Sequence, residues 1–257
     1  MRIFVWGLLF LSFNLMANER LVLVGGGDIP VQAAEKFVSW AGGKDASILL
    51  IEWASGIPDE SEKDLRETFE PYHPKTIEAA PYLEAMATQK VKFLEQLGRA
   101  TGVFFAGGDQ NRVMDLLDKE PELLSAIRAK ARDAVFGGTS AGTAIMSETM
   151  ITGEGDFTVI DATKVGTRPG LGLVKDMIVD QHFIKRMRAN RLLSLILKSR
   201  ERWGMGIDEG TSVALEDNHI AKVLGPNPVM LMDNRAHFGK VTLEILMPEQ
   251  QIDLQKP

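Results

Sequence analysis

Ala134-Val135-Phe136-Gly137-Gly138-Thr139-Ser140-Ala141-Gly142-Thr143-Ala144-Ile145-Met146 passes from one apolar run through a glycine-rich turn into another. Ala134 to Phe136 reads as the end of a buried strand, and Ala141 to Ser147 as the start of a helix. Gly138-x-Ser140-x-Gly142 therefore falls at a strand-to-helix turn, the context that lifts a serine hydroxyl clear of a sheet. The turn needs small neighbours, because the serine would hold a strained backbone with other atoms crowding it. The first helical N–H groups would point at the same place, so the Ala141 N–H is expected to form half of an oxyanion hole. A plain glycine-rich turn feeding a helix is the other reading of the same residues.

Outward from this turn the chain alternates strands and helices. Arg20-Leu21-Val22-Leu23-Val24, Ser47-Ile48-Leu49-Leu50-Ile51 and Gly102-Val103-Phe104-Phe105-Ala106 read as buried strands, and Lys75 to Ala79 as a further strand. Helices are predicted over Val31–Trp40, Pro58–Phe69, Lys90–Leu97, Asn111–Leu117 and Leu123–Arg132. Fully apolar strands separated by helices predict a mostly parallel sheet covered on both faces. Ligands gather at the carboxyl ends of such strands. Three of the strands end there in glycines: Gly25-Gly26-Gly27, Gly107-Gly108 and Gly137-Gly138. The first cluster lacks the spaced third glycine of a dinucleotide fingerprint. It reads as backbone passing close to a ligand or to the Ser140 turn. Met150 to Gly172 reads as loop and short strands. A strand at Met177–Val179 and a helix from about Ile184 to Lys198 follow. Strands are then predicted at Thr211–Leu215, Ile220–Leu224, Val229–Met232 and Val241–Leu246.

The 257 residues are 45% hydrophobic and 25% charged, with a net charge of −6, which suits one soluble α/β domain and gives no footprint for nucleic acid. There are no cysteines, which removes disulfides, thiolate metal sites and a cysteine nucleophile. Nothing in the sequence calls for a cofactor or a metal. Arg2, the apolar run Ile3 to Leu11 and the small Ala17 predict a secretory signal over residues 1–17, with a single domain over 18–257. The expected location is secreted or periplasmic, with no membrane attachment after processing.

Four histidines leave few candidate bases for a serine: His73, His182, His219 and His237. His182 lies in Asp180-Gln181-His182-Phe183-Ile184-Lys185-Arg186-Met187-Arg188-Ala189-Asn190-Arg191, again beyond a strand end. If this segment is helical, His182 shares a face with Arg186, and Arg188 with Arg191. Three arginines beside a base suit an anionic substrate, since guanidinium grips carboxylate with two bonds. A solvated basic helix start is the alternative. The base also needs an orienting acid. Glu154 and Asp156, in a glycine-rich stretch between Ser140 and His182, are the candidates, with Glu154 favoured.

Phe104-Phe105-Ala106-Gly107-Gly108-Asp109-Gln110-Asn111-Arg112, the run Gly137 to Ser147, and Asp180 to Phe183 with arginines at 186, 188 and 191 resemble the cyanophycinases. These are serine peptidases of the S51 type, grouped with aspartyl dipeptidases. Pro169-Gly170-Leu171-Gly172-Leu173 and Gly206-Ile207-Asp208-Glu209 are similar to the same pattern. The resemblance implies a three-layer α/β sandwich like that of class I glutamine amidotransferases, with serine in place of cysteine. It implies Ser140 as nucleophile, His182 as base, and N–H groups at Gly108 and Ala141 as the oxyanion hole. Gln110, Asp180, Gln181, Arg186, Arg188 and Arg191 would line the substrate pocket. The implied substrate is cyanophycin or another aspartate-rich peptide. Cleavage is expected at its β-aspartyl-arginine isopeptide bond, giving β-Asp-Arg dipeptides through an acyl-enzyme. Small Asp-X peptides are the alternative substrate, and a non-catalytic binding protein on the same fold the alternative role. Homodimers are a habit of the family, which leaves the assembly open. This chain departs from the pattern at Met187 and Ala189, and at Glu52-Trp53, where small residues are expected.

Overall fold

Leu21 and Leu23 point to one side of the first strand, Val22 and Val24 to the other, and all four are buried. A strand apolar on both faces belongs inside a layered sheet. The computed structural model, which describes residues 19–156, 158–235 and 240–256, places it there. The segment read as a signal, 1–17, lies outside those residues. The first half of the chain runs β1 (Arg20–Val24), α1 (Val31–Trp40), β2 (Ser47–Ile51), α2 (Pro58–Phe69), β3 (Thr76–Ala79), α3 (Met86–Arg99), β4 (Gly102–Phe105), α4 (Gln110–Lys119), α5 (Pro121–Lys130), β5 (Val135–Thr139) and α6 (Ala141–Ala144). The second half runs β6 (Thr149–Gly155), β7 (Val165–Pro169), β8 (Met177–Gln181), α7 (Ala189–Ile196), β9 (Trp203–Ile207), β10 (Ser212–Glu216), β11 (Ile220–Leu224), β12 (Val229–Asp233), β13 (Thr242–Leu246) and β14 (Gln251–Asp253).

Among the described residues the main sheet has the order β14-β11-β10-β1-β5-β4-β2-β3. From β1 to β3 every pairing is parallel, and β10, β11 and β14 extend the sheet antiparallel from β1. Val22, Val24, Phe104 and Ala214 pack with Phe37 of α1 and with Leu65 and Phe69 of α2. On the opposite face Leu23, Phe105 and Phe136 pack with residues of α3, α4, α5 and α6. The predicted helix–sheet–helix layering is therefore observed.

A second sheet, β13-β12-β9-β8, stands beside the first, and β6 and β7 form a separate hairpin. In this sheet β8 and β9 run parallel, so their carboxyl ends lie side by side. The helix expected from Ile184 begins only at Ala189. His182 and Met187 both have positive φ, 48° and 51°, which breaks a helical path through the basic segment. The shared helical faces expected of His182 with Arg186, and of Arg188 with Arg191, do not form.

Candidate active site

Ser140 sits between β5 and α6 with φ 52° and ψ −112°, a conformation unusual for a residue with a side chain. Two glycines permit it. A Cβ on Gly138 would lie 2.3 Å from the carbonyl carbon of Gly142, and one on Gly142 would lie 2.2 Å from the Phe105 carbonyl oxygen. Backbone crosses backbone here, so neither residue can be larger. The Ser140 N–H donates to the Val24 carbonyl at 3.1 Å, which fastens the turn to the end of β1. Ala141 is the first helical residue, and its N–H has no acceptor within the helix.

His182 follows β8, and its N–H donates to the Gly25 carbonyl at 2.7 Å. Its Nε2 lies 2.7 Å from the Ser140 Oγ. Its Nδ1 lies 2.6 Å from Oε1 of Glu209, which follows β9. The carboxylate can only accept, so Nδ1 carries the proton, and Nε2 is left to accept from the serine hydroxyl. Burial holds the His182 pKa below its ordinary value; the Glu209 bond opposes this, and the nearby Arg186 and Arg188 charges reinforce it. A neutral imidazole against a serine hydroxyl is the arrangement that removes the hydroxyl proton during nucleophilic attack.

The triple glycine serves the histidine and its acid. Gly26 has φ 110°, and a Cβ there would fall 2.3 Å from Cε1 of His182. The Gly210 N–H donates to the Gly26 carbonyl at 2.9 Å, so the residue after Glu209 is tied to the same loop. Asp208 Oδ1 accepts from the N–H groups of Ile184 and Lys185 at 3.1 and 2.9 Å, fixing the turn that carries His182.

The carboxylate hydrogen-bonded to His182 is therefore that of Glu209, and the expectation of Glu154 or Asp156 in that place is corrected. Glu154 is exposed on β6. Asp156 Oδ1 instead accepts from the N–H and hydroxyl of Thr158 at 2.9 and 2.6 Å. Glu209 lies beyond the interval between Ser140 and His182 that holds Glu154 and Asp156. The available signal was Gly206-Ile207-Asp208-Glu209, in which two acids follow a short apolar run.

The expected substrate residues divide. Asp180 and Arg191 are each 1% exposed and bind one another, Nε to Oδ2 at 2.7 Å with a second contact from Nη2 to Oδ1. That pair fastens α7 to the end of β8 and is buried from the surface, a correction to the pocket-lining role. Gln110 is also buried, and its amide donates to the Ile151 carbonyl at 2.8 Å, joining α4 to β6. Arg188 donates through Nη1 to both the Gln181 carbonyl and the Gln181 side chain. Burial pushes the Arg188 guanidinium down to about 10, still cationic at neutral pH. Arg186 is exposed beside His182. A cleft of about 540 Å3 opens beside the serine turn, bordered by Gly107, Thr139 and Gly27 and by the acids Asp28, Asp64 and Glu67.

The profile of peptidase family S51 matches residues 17–223. The chain belongs to peptidase family S51. It is 34% identical over 224 residues to a cyanophycinase of Synechococcus elongatus, covering 85% of this chain and 69% of the relative. It is 32% identical over 236 residues to a cyanophycinase of Geminocystis herdmanii, covering 88% and 86% of the two chains. The crystal structure of a peptidase from an acI-B1 actinobacterium superposes with a TM-score of 0.70 at 21% identity, over 91% of this chain and 96% of that one. At that identity the likeness speaks to the fold. As an S51 member the chain is a serine peptidase, and the Ser140–His182–Glu209 contacts supply the geometry that chemistry needs.

Proposed function

We propose that this peptidase hydrolyses cyanophycin to β-Asp-Arg dipeptides outside the cytoplasm, with Ser140 as nucleophile, His182 as general base and Glu209 as its orienting acid. The carrying observation is the unbroken chain from the Ser140 hydroxyl through the imidazole to the Glu209 carboxylate. Ser140 attacks the scissile carbonyl as His182 takes its proton. His182 then returns that proton to the departing amine. Water, deprotonated by the same imidazole, releases the acyl group. The N–H groups of Gly108 and Ala141 stabilise the oxyanion of both tetrahedral intermediates.

A β-Asp-Arg product still contains the isopeptide bond. Its release therefore requires scission of the main-chain amide joining successive aspartates, not of the isopeptide bond itself. The two cyanophycinases at 34% and 32% identity support the polymer as substrate. The acids of the cleft suit its arginines, and Arg186 and Arg188 suit its carboxylates. Arg2 and the apolar run to Leu11 support export. The strand–turn–helix placement of Ser140 supports kinship with the glutamine amidotransferase-like folds.

Incubation of the purified protein with cyanophycin and with α- and β-linked Asp-X dipeptides, followed by mass spectrometry, tests the substrate. β-Asp-Arg from the polymer is the expected product. Hydrolysis of the small peptides alone would assign the dipeptidase activity instead.

A further inference from the structure

Glu52 stands just beyond β2, 4% exposed, and its Oε1 finds no hydrogen-bond partner. A buried carboxyl with an unanswered oxygen is costly unless something completes it. The acid lines a cavity of about 260 Å3 shared with Ser55, Tyr82, Glu84 and Arg112. No cation in that wall is available to it. Arg112 donates to the Ser55 carbonyl at 2.6 Å and to Glu84 at 3.1 Å, and Arg66, outside that wall, is bound to Glu62 at 2.7 Å and to the Ile77 carbonyl at 2.8 Å. The wall of the cavity therefore holds a buried acid with one unanswered oxygen.

Its position relates it to the catalytic centre. Ile51 of β2 pairs with Phe105 of β4, and Phe105 pairs with Gly138 of β5. Glu52 thus lies two strands from the start of the serine turn, roughly 10 Å at the usual strand spacing. The segment after Glu52 also backs the loop that carries Gly108: a Cβ on Gly108 would lie 2.1 Å from the Ala54 carbonyl oxygen, and Asp109 N–H donates to that oxygen at 2.9 Å. A cationic side chain attached close to the scissile bond spans this distance.

We propose that the Glu52 cavity binds a guanidinium side chain of the substrate next to the bond that Ser140 attacks. Guanidinium offers the paired donors that a carboxylate accepts, with a delocalised charge that sheds water more readily than ammonium. The identity of the cation as an arginine side chain rests on the substrate reading above; the cavity's need for a cation does not.

Burial pushes the Glu52 carboxyl up to about 7; its own backbone N–H lowers it by a smaller amount, Glu62 raises it and Arg66 lowers it. Tyr82 and Glu84 face the same cavity from the 82–85 turn, and Arg112 from α4. A cation binds the ionised acid, so affinity should rise about tenfold between pH 6 and pH 8.

The test uses the full-length protein with butylguanidinium and its neutral isostere butylurea, followed by calorimetry or thermal shift at both pH values. Butylguanidinium should bind the wild type more tightly at pH 8, butylurea should not bind, and Glu52→Gln should lose the cation and the pH dependence. Equal behaviour of the two ligands on the wild type would overturn the proposal without any variant. The second arm compares hydrolysis of β-Asp-Arg oligomers with oligomers carrying citrulline for arginine. Glu52→Gln should lower the preference for arginine by roughly ten- to a hundredfold, through KM. An unchanged preference, in a variant that melts as a folded protein, would remove Glu52 from recognition. Selective butylguanidinium binding in a protein that cleaves neither oligomer would keep the pocket and discard the cyanophycin reading.

Discussion

The imidazole of His182 occupies the space that a Cβ on Gly26 would need, with Cε1 only 2.3 Å from that position. The first strand's glycine loop is thus a wall of the catalytic centre, although it contributes no side chain to it. Contact of this kind fixes the ring between Ser140 and Glu209 by shape as well as by hydrogen bonds.

Gly26→Ala should therefore behave as a catalytic lesion. The methyl group must displace the ring, and φ 110° is itself strained for alanine. A loss of at least a hundredfold in kcat is expected, since small misplacements of reacting groups are costly. Kinetics paired with thermal melting checks this. Wild-type turnover in the variant would show that the loop is not a wall of the site.

The rate should depend on pH through a base that stays neutral below the usual histidine range. Burial lowers the His182 pKa, so activity is retained as pH falls past about 6.5 and is lost only below it. Arg186 contributes to that lowering, so Arg186→Met should move the acidic limb of kcat/KM upward. A limb centred above the ordinary value in the wild type would contradict the neutral-base assignment.

Asp180 and Arg191 should act on stability and not on recognition. Both are 1% exposed and face each other, so Arg191→Met strands a buried carboxylate. The expected cost is about 3–5 kcal/mol, the range for breaking one side of a buried pair. Denaturant unfolding measures it. Unchanged stability with a raised KM for aspartate peptides would return Arg191 to the substrate pocket.

The main sheet was legible because β1, β2 and β4 are apolar on both faces, a pattern that little else produces. The serine turn was legible because only small residues let Gly138 and Gly142 cross neighbouring backbone. Of the second sheet, β8, β12 and β13 were legible as apolar runs, but β9 was not. β9 carries Gly204 and Gly206, poor strand formers, and a Cβ on Gly206 would lie 2.3 Å from Phe183. The reason for those glycines exists only once Phe183 has packed there. The arginine spacing after His182 suggested helix faces, but charge spacing does not determine φ, and positive values at His182 and Met187 bend the chain away. Asp180 and Arg191 read equally well as substrate ligands or as each other's partners, and burial decided between them. Glu209 was hidden by chain order alone. It reaches His182 because β8 and β9 run parallel, a pairing between segments separated by a helix.

The most direct test of the account is kcat/KM for Glu209→Gln beside Glu154→Gln, with Ser140→Ala as the floor, on whichever aspartyl substrate the wild type cleaves. Glutamine at 209 keeps the shape but can offer Nδ1 a donor in place of an acceptor, which disfavours the tautomer that leaves Nε2 free for Ser140. A fall of about a thousand- to ten-thousandfold is predicted, approaching the Ser140→Ala floor. Glu154→Gln, altering an exposed residue of β6, should stay within about twofold of wild type. Full activity in Glu209→Gln with loss in Glu154→Gln would contradict the Ser140–His182–Glu209 assignment.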